Sequence, residues 1–168
     1  MLLETTWIYK GVIMDEKVVY VSNVKVERIK GPLRRTYVPA EEEPIYFSVH
    51  SEIAEHYGID TEVHEPHKTT LDMLVASTAT WLTGTLGGAL EARGIPAGEG
   101  WLYSKATGEI EKDGNVLVVR RIHVTYYLKV DSEKHEKARR AHRLHADSCP
   151  VARTIRDCVA ITTELELI

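Results

Sequence analysis

Thiols are the first groups in this chain that could do chemistry, and there are two of them, Cys149 and Cys158. Cys149 lies in Ser148-Cys149-Pro150-Val151, a pattern that reads as a helix N-cap followed by proline at the first helical position. A thiol there meets unpaired N–H groups and the positive end of the helix dipole, which stabilise a thiolate. Such a site is reactive if it is open, and merely structural if the thiol caps the helix and buries as a small apolar group. Cys158 follows nine residues later. In one continuous helix that is about 13.5 Å of rise and the opposite face, out of reach of an internal disulfide.

The imidazoles are the next candidates. His56, His64 and His67 fall in a loop-like stretch with Glu62 and Glu65, but their irregular spacing matches no zinc pattern, and we expect neither a metal nor a cofactor. His135, His142 and His145 fall in a run dense in Lys, Arg and Glu. They read as members of a solvated helix face together with Arg139, Arg140 and Arg143. The chain lacks a P-loop, a G-x-G-x-x-G, an H-E-x-x-H, a C-x-x-C and a G-x-S-x-G, so the common phosphate, zinc and nucleophile-elbow signatures are missing. Gly84, Gly87 and Gly88 lie inside an expected helix and cannot cradle a phosphate.

A net charge of −4 and a pI near 6.1 lack the basic footprint of a nucleic-acid binder. Residues 1–9 lack the basic and apolar regions of a secretory signal, so a cytoplasmic location is expected. Glutamine is absent and asparagine occurs only at positions 23 and 115, a scarcity of thermolabile amides that suits a thermophile. With 168 residues, 43% of them hydrophobic, the chain is long enough for one domain over 1–168 with its own core.

The elements that would position these groups follow from periodicity. Residues 5–29 alternate β-branched and charged residues around Asp15-Glu16-Lys17, a hairpin that Gly31-Pro32 ends, and a short strand is expected over 45–50. Residues 58–70 read as loop. Leu71 to Arg93 reads as a long helix, with Thr69 or Thr70 as N-cap, Asp72 in the first turn and Gly94 just past the end. Residues 73–90 carry no charge, yet four threonines, a serine and three glycines make a buried helix a better account than a membrane span. Leu71, Val75, Leu82, Leu86 and Leu90 share one side. Ala76, Thr80, Gly84 and Gly88 form a lane of small residues on another, which asks for a second helix, from this chain or a second copy. Asp113-Gly114 then joins two strands, Asp131-Ser132 opens a charged helix, Cys149-Pro150 a short one, and residues 159–168 close as a strand. Strands, helix, hairpin, helices and strand in that order give an α+β fold.

Two segments together carry a family resemblance: Asp72-Met-Leu-Val-Ala-Ser-Thr-Ala-Thr-Trp81 in the long helix and Ser148-Cys149-Pro150-Val151-Ala152-Arg153-Thr154-Ile155 near the end. Over residues 70–168 the chain resembles the OsmC/Ohr family of osmotically inducible and organic-hydroperoxide-resistance proteins. The resemblance implies an intertwined homodimer with long helices packed together and sites at the subunit interface. It also implies reduction of hydroperoxides by a cysteine pair, one thiol attacking from the central helix and a second, in the Cys-Pro element, resolving the sulfenic acid.

Cys149 matches the resolving position. The attacking thiol has no counterpart, because Trp81, or Thr80 with a one-residue shift, stands in its place and no cysteine precedes Cys149. The family's glutamate falls near Leu71 and Asp72, and its arginine has no secure match among Arg28, Arg34 and Arg35. By helical angle Trp81 lies beside Ser77 and Gly88, so its indole either fills a pocket or walls an apolar one. The expected function is therefore an OsmC-like homodimer without two-cysteine peroxidase activity that binds a small apolar ligand or acts structurally. The alternative is a one-cysteine hydroperoxide reductase using Cys149. In this reading Trp81, Thr80, Asp72 and Ser77 are the pocket candidates, with neither nucleic acid nor membrane as partner.

Overall fold

The computed structural model describes residues 18–168. Two three-stranded sheets organise them. The first holds β1 (Lys25–Lys30), β2 (Leu33–Tyr37) and β3 (Ile45–Phe47) in that order, antiparallel throughout. The second holds β4 (Leu102–Asp113), β5 (Val116–Leu128) and β6 (Ala160–Leu167), with β4 antiparallel and β6 parallel to β5. Helices α1 (Ser51–His56), α2 (Thr70–Glu91), α3 (His135–His145) and α4 (Pro150–Ile155) complete an α+β architecture. A parallel pair needs a crossover connection, and α3 with α4 supply it between β5 and β6.

The amino-terminal strands differ from the expected hairpin. The first half of the expected hairpin lies outside the described residues, and Val18–Val24 form no strand. Gly31-Pro32 does not end the strand region; it turns β1 into β2. Gly31 takes φ +54°, a conformation open to glycine at little cost, so the chain reverses there and Leu33–Tyr37 pairs back along β1.

Helix α2 starts as its sequence dictates. The Asp72 N–H donates to Thr69 Oγ1 at 3.0 Å and the Thr69 N–H donates to Asp72 Oδ2 at 2.7 Å, a reciprocal capping box. Gly94 at φ +71° closes the far end. Leu82, Leu86 and Leu90 are fully buried in a core shared with Ile122, Val124, Tyr126 and Leu128 of β5, while Leu71 and Val75 are half-buried. Thr78 can be buried because its hydroxyl donates to the Leu74 carbonyl at 2.7 Å. Gly108 of β4 lies where α2 crosses the sheet, and a Cβ there would fall inside the Val75 side chain. The small-residue lane is different. Ala76, Thr80, Gly84 and Gly88 are all exposed, so no helix among the described residues covers it. Among those residues, no helix is long and apolar enough to cross a membrane.

Candidate functional site

Cys149 is the N-cap of α4, as its sequence position suggests, and the Ala152 N–H donates to its Sγ at 3.5 Å. The residue is 0% exposed and belongs to the hydrophobic core. Helix α4 ends at Ile155, so Cys158 does not share a helix with Cys149; it stands in the turn beyond, exposed, and both thiols are free.

In this layer Tyr126 and His145 share a fixed proton arrangement, while His142 Nε2 is buried with no hydrogen-bond partner among the described residues. His145 Nδ1 lies 2.6 Å from the His142 carbonyl and must donate to it, which leaves Nε2 to accept from the Tyr126 hydroxyl at 2.8 Å. Burial, with a smaller contribution from Cys149, pushes the Tyr126 phenol far above its usual range. His145 is therefore buried and His142 half-buried, contrary to the solvated face expected for them. Ala138, Ala141 and His145 are the buried residues of α3, and the arginines project outward.

The pocket candidates do not converge. Trp81 is 54% exposed, and Ser77 and Thr80 are exposed beside it, on a side of α2 other than the one Leu82, Leu86 and Leu90 bury in the core with Cys149. Thr80 borders an open groove with Gly84, Gly88 and Ser104. Asp72 belongs elsewhere, to a cavity of about 630 Å³ lined also by His50, Ser51, Glu52 and Lys112. There Asp72 Oδ2 accepts from His50 Nε2 at 2.9 Å, and His50 Nδ1 accepts from the Ser51 hydroxyl at 3.1 Å. Burial acts to raise the Asp72 carboxyl, but hydrogen bonds from Thr69 and His50 outweigh it and hold the group below its ordinary value. A carboxylate–imidazole–hydroxyl chain can in principle activate the hydroxyl. Glu52 and Glu55 line the same cavity, however, and would oppose an oxyanion formed at Ser51. The chain serves to tie α1 to the start of α2.

The other histidines go to separate partners. His56 Nε2 lies 3.2 Å from the Asn115 carbonyl, His64 packs on Gly31, and His67 stacks on Tyr46 near Glu65. No cluster of three potential metal ligands forms among the described residues.

A second cavity, of about 470 Å³, shares Ile53 and Leu117 with the first. Arg28 and Arg34 of the β1–β2 hairpin, Ser48 after β3, and Thr69, Thr70 and Leu71 at the start of α2 line it. The opposition of Arg28 and Arg34 is not legible in the sequence, because only the pairing register of β1 with β2 shows it.

No curated protein sequence matches this chain. Solved structures do. An OsmC-like protein from Mycoplasma pneumoniae superposes with a TM-score of 0.68 at 12% identity, over 90% of this chain and 99% of that one. An OsmC-like protein of unknown function from Vibrio cholerae gives a TM-score of 0.66 at 10% identity, over 88% and 99%. The organic hydroperoxide resistance protein OhrB of Bacillus subtilis gives 0.58 at 13% identity, over 90% and 100%. At these identities the likeness establishes the fold. The family model for OsmC-like proteins matches residues 65–164, a span from the approach to α2 into β6 and more than half of the chain, and on that match the chain belongs to the OsmC-like family.

Proposed function

We propose that this chain is a binding member of the family, a homodimer that takes up a small apolar ligand and does not reduce hydroperoxides by the two-cysteine route. The observation that carries the reading is the pairing of Trp81, where the resemblance places the attacking thiol, with a Cys149 sealed in the core. A peroxide must reach a thiolate to be reduced, and the fully buried Cys149 offers it no approach. The same burial weighs against the alternative in which Cys149 acts alone. Two cavities with apolar walls from Ile53 and Leu117 support ligand uptake. The exposed lane on α2 and the exposed side chains of Val24, Val26 and Ile29 support association with a second copy.

Consumption of cumene hydroperoxide by the full chain with a dithiol reductant tests the reading. No turnover above the reductant's own background is expected. Turnover that Cys149→Ser abolishes would establish the one-cysteine reductase instead.

A further inference from the structure

We propose that the cavity between the β1–β2 hairpin and the start of α2 binds the carboxylate of a small organic acid, with the acid's apolar portion against Ile53, Ile59 and Leu117. This rests on the reading of the chain as a small-ligand binder and names the class of ligand. The hairpin itself supplies the first reason. Glu27 lies directly opposite Arg35 across the two strands, and the pair is joined at 2.5 Å. Arg28 lies directly opposite Arg34, one position along and so on the other face. Two like charges in opposed cross-strand positions destabilise a hairpin unless something lies between them. Among the described residues, no carboxylate lines the cavity they border. Asp72, the nearest acid in sequence to that end of α2, is held by Thr69 and His50 and lines the neighbouring cavity.

Two orphaned polar atoms supply the second reason. Among the described residues three side-chain polar atoms are buried without a hydrogen-bond partner: His142 Nε2 in the Tyr126 layer and, at this cavity, Arg34 Nε and Ser48 Oγ; Ser48 is only 1% exposed. A buried donor left unpaired is costly, which points to a missing acceptor. Both residues line this one cavity. The capping box occupies the N–H groups of Thr69 and Asp72, and helix geometry leaves those of Thr70 and Leu71 without intrahelical acceptors, on the same wall. A planar anion between two guanidinium groups satisfies the fork geometry of arginine. The apolar remainder of the wall favours an acid with a hydrocarbon part over inorganic phosphate.

Isothermal titration of the full chain with 4-phenylbutyrate, 4-phenylbutan-1-ol and inorganic phosphate tests the assignment. The carboxylate is expected to bind at least about tenfold more tightly than the alcohol, since hydrogen bonds to charged groups carry that much. Arg28→Gln and Arg34→Gln should each remove the preference, with circular dichroism confirming the fold, while Arg35→Gln on the outer face should keep it. Ser48→Ala should weaken carboxylate binding yet raise the melting temperature of the unliganded protein, because it deletes an unpaired buried hydroxyl. A hydroxyl with only a structural role would lower that temperature. Equal binding of acid and alcohol, or indifference to both arginines, overturns the carboxylate site and leaves the apolar-ligand reading standing. Phosphate binding as tight as phenylbutyrate overturns the ligand class. Failure of both phenyl compounds to bind overturns the site and counts against the broader reading as well.

Discussion

The Tyr126 hydroxyl and His145 Nε2 lie 2.8 Å apart in the buried layer that also encloses Cys149. Tyr126 comes from the central strand of the second sheet and His145 from the last turn of α3, so this bond fixes the crossover on the sheet. It also commits His145 to its neutral form, because a proton on Nε2 would leave two donors facing each other unless the phenol turned its own proton away.

A pH dependence follows. Burial first, and for His142 the neighbouring His145 next, holds both imidazoles below the ordinary histidine value. The unfolded chain takes up these protons below about pH 6.5, whereas the folded chain resists them until lower pH. Stability is thus fully present above about pH 6.5 and declines as pH falls below it toward the folded values. Urea midpoints between pH 7.5 and 5.5 should decrease, and His145→Gln should flatten part of that slope. An unchanged midpoint across the window contradicts this assignment of the buried imidazoles.

Asp72 acts in the opposite part of the pH range. Its folded-state value is depressed, so its contribution is present above about pH 4, the unfolded carboxyl value, and is lost as pH falls through the folded value. Removing its half of the capping box with Asp72→Ala should cost about 1 kcal/mol at neutral pH. The difference from wild type should shrink in acid, and a difference that persists undiminished well below the folded value would show that the charge is not what stabilises α2.

The exposed lane on α2 makes a steric prediction. Among the described residues, a Cβ added at Gly84 or Gly88 would meet nothing within 4 Å, so within a lone chain alanine there should gain up to about 1 kcal/mol of helix stability. If a second copy lays its helix on the lane, leucine at the same positions pushes it off. Sedimentation should show a wild-type dimer at micromolar concentration and a monomer for Gly84→Leu. A wild-type monomer, or a variant that dimerises unchanged, contradicts the intertwined assembly.

What could be read from the chain depended on whether the signal was local. Thr69, Asp72 and Gly94 mark the ends of α2 by capping chemistry that acts within a turn, and Asp113-Gly114 marks the β4–β5 hairpin in the same way, with Gly114 at φ +61°. Helix α1, at six residues, is too short to show a period. The composition around His145 hid its position, although the spacing of Ala138, Ala141 and His145 already describes an inward face. Gly31-Pro32 is a breaker in either reading, and only the pairing of β2 with β1 shows that it turns the chain. The opposition of Arg28 and Arg34 is likewise a matter of register. Trp81 and Cys149 were placed by their elements, but that one faces outward and the other inward depends on which side of α2 meets the sheet.

The accessibility of Cys149 is the point on which the functional account turns, and titration of thiols with a chromogenic disulfide reads it directly. In the native protein only the exposed Cys158 should react promptly, with Cys149 joining it when denaturant is added. Cys158→Ser should then leave no fast-reacting thiol in the folded chain. Prompt reaction of Cys149 in that folded variant would contradict a sealed, structural role and restore this thiol as a nucleophile.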